Sequence, residues 1–304
     1  MIEELPAEVS AAFPFSPHWV DAGGFRLHYV DEGPSSHDVV LLLHGNPTWS
    51  FLYRKIIPII AAEGYRVIAP DFLGCGRSDH GFSEEQYQIT HHIRRTLSLL
   101  DAVGAERAVM FCQDWGGPIG MGCALARPGL LCGLGLGNTF WGEGSAFHHR
   151  VFPWRALHGP VVGPLFFNRR SVFVDGARLG MPVAVARDPV VQRAYRLPLD
   201  VHGSFLAALA WPRAISLGPD HPTQPLADAI WDALVRWDVP VRFVWGGADP
   251  VFPWEEQGLQ LARRLPRGME VEPVVIPEGR HFIQEFAPDA VAAAMLALAR
   301  EGFS

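Results

Sequence analysis

The chain has 304 residues, 49% of them hydrophobic and 19% charged, with 31 Gly, 26 Pro and a formal net charge of −7. Such a length can bury a sizeable core, and the composition is that of a globular protein rather than a disordered, fibrous or membrane one. A negative balance without a Lys/Arg stripe argues against nucleic acid as a partner, and no apolar run reaches the ~18 residues that a membrane helix needs. The densest basic patch, "HHIRR" from His91 to Arg95, reads as a solvated helix face.

The N-terminus, "MIEELPAEVSAAFPFSPHWV", begins acidic and lacks the basic and continuous apolar regions of a secretory signal. Cys75, Cys112, Cys123 and Cys132 have neither metal-ligand spacing nor the look of a disulfide framework, so reduced thiols in a cytoplasmic protein are the expectation. Cys112 reads as a small buried hydrophobe at a tight turn.

Strand-like runs occupy Phe25 to Val30 and Val39 to Leu43, the second ending in "HGNPTWS". Helical spacing follows to Ala62, then a strand "YRVIAP", a loop "DFLGCGRSD", a helix from Ser83 to Val103 and a strand "RAVMFC". This alternation predicts an α/β protein, a mostly parallel sheet flanked by helices on both faces. Another β-like run, "LCGLGLGN", precedes a change in character at Phe140. From there aromatics, Arg, Pro and helical stretches such as "DPVVQRAYRL" predict an inserted helical subdomain. The β/α rhythm then returns with "VPVRFVWGGADP", a helix from Trp254 to Leu265, the strand "MEVEPVVI" and an Ala-rich C-terminal helix. The expected division is a core of residues 1–140 and 229–304 and a cap of residues 141–228.

The apolar run "VMFC" stops at a lone carboxylate, Asp114, in "CQDWG". An ionised group at the end of a buried strand is costly unless it is hydrogen-bonded or used. The pattern small-x-nucleophile-x-small between a strand and a helix is what a nucleophile elbow requires, although a carboxylate there can also cap the helix. A second acid, Asp249 in "GGADP", follows a later strand, and His281 in "EGRHF" follows the next. The order nucleophile, acid, histidine is that of α/β hydrolases.

Together "HGNPTWSFLYRKIIP", "PDFLGCGRSD", "CQDWGG", "WGGADPVFP" and "GRHFIQE" resemble a haloalkane dehalogenase of the α/β-hydrolase fold, over nearly the whole chain from Pro17 onward. The resemblance implies hydrolysis of a carbon–halogen bond through a covalent alkyl-aspartate ester, with no metal and no organic cofactor. It implies Asp114 as nucleophile, His281 as the base that activates water, and Asp249 as the acid that orients it. Asn46 and Trp115 would bind halide through their side chains and an oxyanion through their backbone N–H groups. It implies a small apolar halogenated substrate, the halide ion and water as partners, with no nucleic acid and no membrane, and leaves the oligomeric state open. His44 reads as structural. Some members of the family take the supporting acid from the strand before the cap, where this chain has Asn138, which cannot carry the charge; Glu143 reads as part of the cap. Asn/Trp halide donors with a late acid, and "FFNRRSVFVDGARLG" in the cap, resemble one subgroup.

An epoxide hydrolase on the same fold would want a pair of cap tyrosines, and the cap holds Tyr195 alone. A fluoroacetate-type enzyme would want a basic group where Trp115 stands. A luciferase-like relative could keep the same polar residues, and a binding module could keep the fold without turnover. Trp141, Phe147, Phe152, Trp154, Phe166, Phe167, Phe205 and Trp211 give the cap an aromatic character suited to an apolar substrate.

Overall fold

The computed structural model describes residues 2–144, 148–149, 159, 161, 163, 178–202 and 206–304. Eight strands form one sheet in the order β1-β2-β4-β3-β5-β6-β7-β8. They are β1 (His18–Asp21), β2 (Arg26–Glu32), β3 (Asp38–Leu43), β4 (Arg66–Pro70), β5 (Arg107–Asp114), β6 (Leu131–Thr139), β7 (Val241–Gly246) and β8 (Val274–Ile276). From β4 to β8 every pairing is parallel, while β2 runs antiparallel to both β1 and β4. This is the α/β-hydrolase fold expected from the sequence.

The central strands are buried on both faces, which is why β3 reads "DVVLLL" rather than alternating polar and apolar. Val39, Leu41 and Leu43 enter one core layer, Val40 and Leu42 the other. Below the sheet the Ala-rich helix Pro288–Gly302 starts on a proline at its first turn and buries Val291, Met295, Leu298 and Ala299. The helix Gly116–Ala126, "GGPIGMGCALA", has poor intrinsic propensity because of its glycines. Tertiary packing overrides that: a side chain on Gly116 would collide with the Leu43 carbonyl, and one on Gly117 with Thr139. The glycines let this helix lie close against β3 and β6.

Three local expectations change. The segment from Ser83 divides into a 3-10 turn, Glu84–Tyr87, and a helix, Ile89–Ala102, because Gln88 is extended at ψ 143°. In "MEVEPVVI" only Val274–Ile276 pair, as the last strand at the sheet edge. In "HHIRR", His92 and Arg95 are buried, His92 stacked on Trp211 with ring centroids 4.2 Å apart.

Between β6 and β7, which are neighbours in the sheet, lie the described helices Val183–Arg187, Pro189–His202, Leu206–Arg213 and Gln224–Leu234. Trp49 Nε1 donates to the Ala194 carbonyl at 3.0 Å and Tyr195 Oη to Glu285 at 2.9 Å, tying Pro189–His202 to the core. Of the cap aromatics, Trp141 packs on Trp231 and Trp211 on His92, Phe72 and Trp115. Phe147, Phe152, Trp154, Phe166, Phe167 and Phe205 lie outside the described residues.

Candidate active site

Strand order reverses between β3 and β5, since β4 follows β3 on one side and β5 flanks it on the other. Crevices at the carboxyl ends of such strands are where ligands bind in open α/β sheets. Asn46 follows β3 and Asp114 ends β5 at this point.

Asp114 adopts φ +52°, a left-handed conformation that a non-glycine residue holds only when its surroundings impose it. Here Thr139 Oγ1 donates to the Asp114 carbonyl at 2.6 Å, and the helix Gly116–Ala126 begins two residues later. The bend projects the carboxylate forward. Gly45 makes room for it: a Cβ there would overlap the Asp114 side chain. The Asn46 backbone N–H donates to Asp114 Oδ1 at 2.7 Å, and Oδ2 lies 3.6 Å from His281 Nε2.

On its other side the His281 ring bonds through Nδ1 to Asp249 Oδ2 at 3.0 Å. The Val251 N–H donates to the second Asp249 oxygen at 2.9 Å. Burial alone would lower the basicity of His281, but the charge of Asp249 and the Asp114 carboxylate beside its other nitrogen outweigh it and raise its pKa to about 10. Phe252 and Phe282 flank the ring.

The structure thus brings Asn46, Asp114, Trp115, Asp249 and His281 to one end of the sheet. Among the described residues, neither the Asn46 side-chain amide nor the Trp115 indole N–H has a hydrogen-bond partner, although both residues are largely buried. His44 is structural in its bonding: Nδ1 meets the Gly45 carbonyl at 2.8 Å and Nε2 accepts from Phe72 N–H at 3.1 Å. Glu143 is exposed, and its backbone forms an isolated parallel β-bridge with Ser216. All four cysteines are free, and burial pushes the Cys112 thiol far up, which makes it inert.

Two residues take part that sequence reasoning did not assign to the site. Asn138, at φ +41° and buried, donates Nδ2 to Asp249 Oδ2 at 2.9 Å and accepts from Gly246 N–H at 2.8 Å. Gln113 places Nε2 3.2 Å from both Nε2 and the carbonyl of His281. The one signal for Gln113 is a polar residue continuing an apolar strand next to the nucleophile.

A profile of the alpha/beta hydrolase fold matches residues 38–130. A haloalkane dehalogenase of Mycobacterium marinum is 34% identical over 284 residues, covering 90% of each chain. One of Psychrobacter cryohalolentis is 32% identical, covering 92% of this chain and 91% of its own. The chain belongs to the haloalkane dehalogenase family. The haloalkane dehalogenase DpaA of Paraglaciecola agarilytica, solved as a tetramer, superposes on this family member with TM-score 0.81 at 28% identity, covering 96% of each chain. DbeA of Bradyrhizobium elkani does so with TM-score 0.81 at 25% identity, covering 94% of this chain and 99% of its own. Among the described residues no group of His, Cys, Asp or Glu is placed to hold a metal, and no helix is long and apolar enough to cross a membrane.

Proposed function

We propose that this family member hydrolyses haloalkanes to an alcohol, a halide ion and a proton, with Asp114 as nucleophile, His281 as base and Asp249 as its supporting acid. The observation that carries the reading is the environment of the Asp114 carboxylate. Oδ1 is held by a backbone N–H, which leaves Oδ2 to attack. An Oδ2 lone pair forms the new C–O bond, and the C–X pair departs with the halide. The side-chain N–H groups of Asn46 and Trp115, which no described residue engages, are the donors for that anion, each such bond contributing about 1.5–3 kcal/mol in a dry site.

Carboxylate chemistry explains why an aspartate stands at the elbow. A serine would give an ether that water cannot readily remove, whereas the alkyl-Asp114 ester is open to water at its carbonyl carbon. His281 Nε2 takes the proton of that water. Oδ1 becomes the oxyanion, already in contact with the Asn46 N–H, and the Trp115 N–H at the start of the following helix is the second donor. Esterification also removes the negative charge of Asp114 from beside His281. Its proton affinity falls, and the ring becomes a base at the step that needs one.

Tyr195, the cap tyrosine that an epoxide-opening enzyme would require, donates its hydroxyl to the buried Glu285, which disfavours the epoxide hydrolase reading. Division into a core of residues 1–140 and 229–304 and a cap of 141–228 belongs to the same proposal; the helix Gln224–Leu234 runs through its second boundary. So does a cytoplasmic setting, supported by four free cysteines. Bromide release from 1,2-dibromoethane or 1-bromobutane, compared with Asp114→Ala, tests the activity. Equal release by both proteins, or none by the wild type across several haloalkanes, sinks it.

A further inference from the structure

Gln113 is fully buried, and among the described residues its Oε1 has no hydrogen-bond partner. A buried amide oxygen left unpaired is destabilising. A methionine would fill the same space without that penalty, so packing alone does not account for a glutamine here. Its Nε2, by contrast, makes two contacts of 3.2 Å, both to His281.

The second contact fixes which way the amide points. The His281 carbonyl can only accept, so it selects the NH2 end of Gln113 and turns Oε1 away. The other N–H of that NH2 group then faces His281 Nε2. A ring nitrogen facing a donor is favoured as a lone pair and disfavoured as N–H. Among the described residues, Asp249 on the Nδ1 side and Asp114 on the Nε2 side are the charged groups facing the ring, and both favour the imidazolium. Gln113 opposes them.

We propose that Gln113 is a positioning residue for His281, its side-chain amide fixing the ring through the backbone carbonyl and favouring an unprotonated Nε2 once Asp114 has been esterified. The inference rests on the roles given to Asp114 and His281 in the proposed function. Before esterification two carboxylates face one amide. In the alkyl-enzyme Asp249 alone remains, and the Gln113 N–H shifts the balance towards the base form. At 3.2 Å this contact is at the long edge of hydrogen-bond geometry, so the attacking water can replace it at the lone pair.

The test separates this role from packing and from turnover. Asp114→Asn gives an uncharged side chain beside His281, as the ester does, and ring-nitrogen NMR then follows His281 titration without substrate, the resonance being assigned by its loss in His281→Phe. Adding Gln113→Met to Asp114→Asn is expected to raise the His281 pKa by about one pH unit, the size of one ordinary hydrogen bond. Gln113→Glu in the same background keeps the shape, guards against misfolding of the methionine variant, and is expected to raise it further. With Asp114 intact, Gln113→Met is expected to keep its first-turnover bromide release while ester hydrolysis near neutral pH slows about tenfold and recovers as pH rises. Superimposable His281 titrations in the presence and absence of Gln113 overturn the proposal, as does slowed hydrolysis that no rise in pH restores. If the titration shifts but the wild type releases no bromide, the dehalogenase reading fails and the role of Gln113 towards His281 stands.

Discussion

Asn138 donates its side-chain amide to Asp249 at 2.9 Å, on the same carboxylate oxygen that receives His281. The position from which some family members supply the acid here supplies a donor to that acid. Asn138 also clamps the Gly246 backbone through both ends of its amide, at 2.8 and 3.2 Å, so the loop carrying Asp249 is held at the strand end.

The two residues therefore differ in the size of their expected effects. Asp249→Ala removes the group that orients and charges His281, and ester hydrolysis should fall by up to ~10⁴-fold, as for the orienting aspartate of a serine-protease triad. Asn138→Ala leaves the carboxylate and should cost ~10-fold, within the range for loss of one neutral hydrogen bond. Steady-state kcat for both variants decides; the reverse order would move the supporting role to β6.

His281→Phe should separate the two half-reactions. Attack by Asp114 needs no base, because a carboxylate is already ionised near neutral pH, whereas hydrolysis of the ester does need one. Mixed with a bromoalkane, the variant is expected to release about one bromide per active site and then stall, the limit a single covalent turnover sets. Intact-mass analysis should show one added alkyl group and peptide mapping should place it on Asp114. A folded variant giving neither burst nor adduct, on bromoalkanes that the wild type turns over, removes the covalent mechanism.

Asn46→Ala and Trp115→Phe each delete an N–H that no described residue engages. Loss of a donor aimed at developing charge costs up to ~10²-fold or more in rate, by analogy with oxyanion-hole deletions. Halide release should slow by that order in each variant while circular dichroism stays that of the wild type. Unchanged rates across several substrates would take that residue out of the halide site.

Glu285 governs a separate property, the seat of the cap helix on the core. Its carboxylate, with no side-chain exposure, binds Arg54 at 2.6 and 3.0 Å, Lys55 at 2.9 Å and the Tyr195 hydroxyl at 2.9 Å. Burial opposes its ionisation, but Arg54 and then Lys55 outweigh burial and hold its pKa below the usual value. A lowered carboxylate pKa gives stability that is present above the unfolded value and lost as pH falls through the folded one. Glu285→Gln should therefore cost about 3–5 kcal/mol at neutral pH, the range for breaking a buried pair. Thermal unfolding should show the gap closing below roughly pH 4, where the unfolded carboxyl also takes a proton. A gap that is constant with pH would assign the effect to packing.

What depends on neighbours along the chain is legible in the residue order. Alternating strand and helix patterns established the α/β class, and "CQDWG", "GGADP" and "GRHF" marked Asp114, Asp249 and His281 in hydrolase order. Strand and helix periodicity and turn chemistry act over a few residues, so they leave a readable local trace. Which residues support those three emerges from the folded arrangement alone. The bonds from Asn138 to Asp249 and from Gln113 to His281 span 111 and 168 residues, and neither asparagine nor glutamine carries a motif that announces its partner. The same holds for His92, which lies in a basic run yet stacks on Trp211, and for Tyr195, which Glu285 has already engaged. Which polar groups find partners in the core is set by the packing of distant elements, because desolvation penalises every group that the assembled fold leaves unpaired.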